Sequence, residues 1–122
     1  MSKVMRSLLF VVFALLACAV TAEPVVVLVK VFPAPGREDE LQTQYLKRIE
    51  YLRKVEPSAT FRLHRSTKDP VTFLWYEVYE SQAAYDNHLN VVMPAYRKEA
   101  GPTPEGLIAK PSDSETYREL AK

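Results

Sequence analysis

Between Val25 and Phe32 the chain reads VVVLVKVF, eight residues with one polar position, Lys30. Apolar residues that do not alternate with polar ones predict a strand covered on both faces. Pro33-Ala34-Pro35-Gly36 is a turn, because two prolines remove donors and Gly36 supplies a permissive backbone. From about Arg37 to Val55, Leu41, Tyr45, Ile49 and Leu52 recur at helical spacing and form one apolar stripe. Glu38, Asp39 and Glu40 at the head and Arg53 and Lys54 at the foot suit the helix dipole, and Glu50 and Lys54 are spaced to pair. Glu56-Pro57-Ser58 ends the helix, since the residue before a proline is pushed out of the helical region.

Thr60 to Ser66 then alternates, with Phe61, Leu63 and Arg65 on one face and Thr60, Arg62, His64 and Ser66 on the other. Lys68-Asp69-Pro70 is a turn, and Val71 to Glu80 is the returning strand of a hairpin. Its centre, FLWYEVY from Phe73 to Tyr79, is rich in β-formers. Ser81 is a suitable N-cap for a second helix with Tyr85, Leu89, Val92 and Tyr96 inward. Pro94 should end or kink that helix near Val92 and start a short piece to Glu99. After the Ala100–Pro104 loop, Gly106–Lys110 is a last short strand and Pro111–Lys122 a loosely held polar tail, so the ordered core spans about 24–110.

The order β-α-β-β-α-β is that of a split βαβ, ferredoxin-like α+β fold, whose helices cover one sheet face. Phe73, Trp75 and Tyr79 point one way, yet Leu74, Tyr76 and Val78 on the other side are apolar too. A bare apolar face of that size predicts a two-fold homodimer packed through the sheet.

The first 22 residues are of another kind. Lys3 and Arg6 precede thirteen residues, Leu8 to Val20, in which the only polar side chain is the Cys18 thiol. Thirteen residues are short of the roughly 20 that a membrane-spanning helix needs. With Val20-Thr21-Ala22 as small residues before Glu23, the segment reads as a signal peptide cleaved near Ala22. The remaining domain, 23–122, is then secreted or periplasmic. Leu15-Leu16-Ala17-Cys18 also looks like a lipoprotein box, and membrane attachment follows only if Cys18 is lipidated.

At 122 residues the chain holds one modest core. Without Lys3 and Arg6 the formal charge of +1 falls to −1, with 14 basic against 15 acidic residues. No basic stripe interleaved with aromatics is present, so no nucleic-acid partner is expected. The domain after the leader has no cysteine, hence no disulfide or thiol chemistry. Two histidines, His64 and His88, are the natural general bases near neutral pH. No Cys/His/carboxylate cluster has metal spacing, and three glycines build no dinucleotide or phosphate loop, so neither a metal nor a cofactor is expected. A strand running almost directly into a helix brings Glu77, Tyr79, Tyr85 and His88 into one neighbourhood.

The VVVLVKVF strand with Pro35-Gly36, the acidic-headed helix, Glu56-Pro57 and the block from Phe73 to Leu89 resemble the antibiotic biosynthesis monooxygenase family from about Val25 to Lys98. The resemblance implies a dimeric, ferredoxin-like α/β barrel and, for its quinol-oxidising members, cofactor-free chemistry. An electron-rich phenol or hydroquinone, once deprotonated, itself reduces dioxygen. On that reading His88 takes or relays the substrate proton, Glu77 orients it, and Trp75, Tyr76, Tyr79 and Tyr85 line the pocket of a small aromatic or quinol substrate. Met93 stands at the pocket position where members commonly carry a second histidine, and Ser58 replaces their glycine after Glu-Pro. The haem-degrading branch is not matched: no Asn precedes Asn87, and Lys98 stands where its ligating histidine would be. The alternative is a non-catalytic dimer of the same fold that binds a small molecule. His88 and Glu77 then only satisfy one another within the packing.

Overall fold

The structure is a computed structural model that describes residues 22–122; nearly all of the expected leader, with Cys18, lies outside the described residues. No helix among the described residues is long and apolar enough to cross a membrane.

Strand β1 spans Val25–Pro33, helix α1 Glu38–Val55, β2 Thr60–Arg65 and β3 Phe73–Tyr79. A continuous helical segment follows as α2, Gln82–Asn87, a π-helical turn, His88–Val92, and α3, Met93–Ala100. Strand β4 spans Ile108–Arg118. The four strands form one antiparallel sheet in the order β2-β3-β1-β4. This is the ferredoxin-like α+β arrangement expected from the sequence.

Local chemistry sets the boundaries. Gly36 has φ +83°, and the Arg37 N–H closes the turn onto the Ala34 carbonyl at 3.0 Å, so the chain reverses within four residues. The Ser81 hydroxyl accepts the Ala84 N–H at 3.1 Å and fixes the start of α2 as expected. At the far end Pro94 has no N–H and its ring would meet the carbonyl four residues back. The segment answers with the π turn, in which the Met93 N–H reaches the His88 carbonyl, and α3 restarts with the proline in its first turn.

That turn also rotates the inward face. The predicted stripe was Tyr85, Leu89, Val92 and Tyr96, whereas the buried residues are His88, Val92 and Met93, and Leu89 is 46 % exposed. One extra residue per turn advances the helix by more than a quarter rotation.

The core lies between the helices and one sheet face. Leu41, Tyr45, Ile49 and Leu52 of α1 pack on Val27, Phe73 and Trp75, with the Tyr45 ring edge-on to Phe73 and Trp75. Fully enclosed Leu107 belongs to the same core, and its carbonyl accepts the Ala34 N–H at 2.8 Å. The opposite face carries no helix. Leu28, Tyr76 and Val78 are half-buried there and Leu74 is exposed.

The C-terminal stretch differs from expectation. Instead of a short strand and a loose tail, Ile108–Arg118 pairs with β1 from Pro33 to Val25, with register shifts around Phe32. Its residues after Ile108 are exposed, so backbone hydrogen bonding rather than apolar burial holds it, and no hydrophobic period betrays it. Pro111, Asp113 and Glu115 are residues that discourage further pairing on an edge strand. Leu41 is the cleanest gauge of this core: Leu41→Ala should cost about 2–5 kcal/mol in urea unfolding, with an unchanged denaturant slope.

Candidate functional site

Strand alternation selects the residues that meet the helices. Phe73, Trp75, Glu77 and Tyr79 share the covered face of β3, and Glu77 is registered between Val27 of β1 and Phe61 of β2. A carboxylate in the middle of an apolar sheet face requires partners. Two are present. The Tyr79 hydroxyl donates to Glu77 Oε1 at 2.7 Å, and His88 Nε2 lies 3.6 Å from the same oxygen.

The other imidazole nitrogen, Nδ1, is 2.7 Å from Glu56 Oε2. Glu56 ends α1, its N–H still bonded to the Leu52 carbonyl while its own carbonyl accepts the Ala59 N–H across the Pro57-Ser58 turn. That turn directs the carboxylate inward, and Glu56 is 8 % exposed. The result is a buried chain Glu56–His88–Glu77–Tyr79 joining the end of α1, the π turn and β3. His88 is enclosed between Phe61 and Tyr79, whose ring centroids lie 5.8 and 5.0 Å away.

The chain borders a cavity of about 300 Å³, at the small end of the roughly 300–1,000 Å³ range of ligand pockets. His88 and Glu77 line it together with Trp75, Tyr85 and Met93, so five of the expected site residues converge on one space. Tyr79 is fully enclosed and stands behind that space, bonded to Glu77 and packed on His88 and Tyr85. Tyr76 lies elsewhere: on the bare face, opposite Leu28 and Arg62, because odd and even positions of a strand point to opposite sides. His64 is exposed beside the Leu74 carbonyl, and Arg65 pairs with Asp39 and Gln42, so neither approaches the cavity.

Sequence reasoning missed Glu56 and Arg48. Glu56 had a legible signal, a glutamate fixed ahead of a proline at a helix end, but the pair reads first as a helix stop. Arg48 lines the cavity from α1, three residues after Tyr45 and four before Leu52, the spacing of one helix face. Its guanidinium carbon lies 4.9 Å from the Tyr45 ring centroid and 5.4 Å from that of Tyr96.

Burial pushes the Glu77 carboxyl above the ordinary glutamate range, against the pull of the Tyr79 hydroxyl and His88. Tyr79 is raised by burial and then by the Glu77 charge, and Tyr85 by the same two causes in the same order. Burial therefore favours the protonated forms of Glu77, Tyr79 and Tyr85 beside the imidazole. Among the described residues no group of three or more histidines, cysteines and carboxylates is arranged to hold a metal ion.

Because folded Glu77 keeps its proton where the unfolded chain has released it, its contribution to stability is full in acid and falls as pH rises through the raised pKa. Glu77→Gln retains an acceptor for Tyr79 but cannot ionise. Melting temperatures measured from pH 4.5 to 8 should decline less steeply for this variant than for the wild type, and equal slopes would show that Glu77 is not the titrating group.

The family model for antibiotic biosynthesis monooxygenases matches residues 24–98. Three solved structures share the fold at low identity. A candidate antibiotic biosynthesis monooxygenase from Caulobacter crescentus is 18% identical, with a TM-score of 0.67 over 83% of this chain and 93% of its own. PA3566 from Pseudomonas aeruginosa is 22% identical, with a TM-score of 0.65 over 83% and 98%. Rv0793 from Mycobacterium tuberculosis is 22% identical, with a TM-score of 0.61 over 81% and 97%. A search of curated proteins gives no match. With the ferredoxin-like sheet and a family match over most of the described residues, this chain belongs to the antibiotic biosynthesis monooxygenase family.

Proposed function

We propose that the protein is an exported, cofactor-independent monooxygenase acting on a small aromatic or quinol substrate. One observation carries this reading: a buried imidazole, held at Nδ1 by a carboxylate, borders a cavity of small-molecule size that Trp75, Leu89 and Met93 wall on part of its surface. The Glu56 carboxylate accepts the Nδ1 hydrogen, which leaves the lone pair on Nε2, the nitrogen nearer Glu77. A hydroquinone hydroxyl placed in the cavity gives its proton to Nε2 as the ring transfers an electron to dioxygen. Recombination at the ring carbon and loss of water complete the reaction. For 1,4-naphthohydroquinone the balance is one substrate and one O₂ to one hydroxynaphthoquinone and one water. Glu77 and Tyr79 position the imidazole, and Trp75 and Met93 form apolar walls. Export is inferred from the basic and apolar pattern of the first 22 residues, with Cys18 as the point of lipid attachment if its box is used.

The bare sheet face supports a homodimer. Val26, Leu28, Leu74, Tyr76 and Val78 form an apolar band across β1 and β3 with no helix above it.

Oxygen-electrode traces on 1,4-naphthohydroquinone, corrected for spontaneous oxidation, test the chemistry. His88→Ala should lose about a hundred- to ten-thousandfold in kcat/KM with its fold intact. Unchanged turnover would remove His88 from the mechanism. An absence of wild-type oxygen uptake across a panel of quinols would favour the second reading, a non-catalytic small-molecule-binding dimer, which the enclosure of His88 by two carboxylates also satisfies. For the assembly, light scattering should give the mass of two chains, and Tyr76→Glu should give that of one; a monomeric wild type would remove the dimer.

A further inference from the structure

The cavity has a second chemical feature that the proton-transfer chain does not use. Arg48 lines it from α1, and its Nε is buried with no hydrogen-bond partner among the described residues. The Tyr45 and Tyr96 rings lie within cation–π distance of the guanidinium, but a ring face gives the in-plane Nε–H nothing to donate to. A guanidinium stays charged throughout the accessible pH range, so it cannot relieve the deficit by losing a proton. Glu77, the carboxyl sharing the cavity, is no counter-ion. It forms no ion pair with Arg48 within 4 Å among the described residues, and Arg48 is the weakest influence on its ionisation. A fixed cation with free donors, placed at the wall of a small-molecule cavity, is an incomplete pair.

The surroundings extend the same chemistry. Arg97 enters the cavity from α3, one helical turn beyond Met93. Ser112 and Ser114 of β4 line it as well, since β4 presents its even-numbered residues on the covered face, Ser114 opposite Val29. The one lining thus combines two guanidinium groups and two hydroxyls with the imidazole and the apolar walls.

We infer that the substrate is an aromatic acid: its carboxylate seats against the Arg48 guanidinium, with Arg97 and the β4 serines around it, while its ring hydroxyl faces His88. The position of the hydroxyl rests on the monooxygenase reading above; the carboxylate preference is read by binding alone. A planar guanidinium held beside two aromatic rings presents a fork that matches the two oxygens of a carboxylate.

Isothermal titration with 2-naphthoate and its neutral isostere 2-naphthamide separates charge recognition from shape, since neither probe reacts with oxygen. The wild type should bind the carboxylate about ten- to a hundredfold more tightly than the amide. Arg48→Gln should abolish the difference, and Arg48→Lys should keep part of it by charge without the fork. Equal or undetectable binding of the two probes by the wild type would overturn the inference without recourse to any variant. So would a preference that survives in folded Arg48→Gln. Oxygen uptake fails independently: a wild type that prefers 2-naphthoate but consumes no oxygen with quinols loses the monooxygenase reading and keeps the anion site.

Discussion

Glu77 is a carboxyl in the centre of a sheet face, with Val27 and Phe61 beside it and helices above. Burying such a group without partners costs several kilocalories per mole, and leaving it ionised costs more. The fold therefore has to bring hydrogen-bonding groups to it from elsewhere. Tyr79 comes from two residues along the same strand, His88 from the π turn, and Glu56 from the end of α1 to secure the far side of the imidazole. Of these, α1 is distant in sequence from β3 and the π turn, and all three meet at this point. The relative placement of α1, the second helical segment and β3 is constrained by one chain of polar contacts set in an otherwise apolar core.

The same constraint leaves space. His88 and Glu77 hold their side chains toward each other rather than filling the region above β1, where Val29 and Val31 are short. The cavity that results is lined by an imidazole and a carboxyl from the π turn and β3 and by guanidinium groups from α1 and α3.

Most of the architecture was legible from patterning. The acidic-headed stripe of α1, the alternation of β2, the aromatic run of β3 and the Ser81 cap each point to the element that forms, because each is a local property of propensity and period. The neighbourhood of Glu77, Tyr79, Tyr85 and His88 was legible too, since a strand that enters a helix through two residues leaves little freedom. Tyr76 shows the limit of proximity in sequence. It adjoins Glu77 in the chain, yet the two-residue period of the strand places it on the opposite face.

By itself, then, the sequence determined the order of elements and the presence of a histidine beside a strand glutamate. It did so because apolar spacing and capping act over a few residues. Only the tertiary structure decided the rest: the eleven-residue β4, which is held by backbone pairing and has no apolar signature; the π turn, which replaced Leu89 by His88 on the inward face; and the inclusion of Glu56 and Arg48 in the site. Those outcomes depend on which distant groups must satisfy one another once they are buried, and burial is a property of the assembled chain.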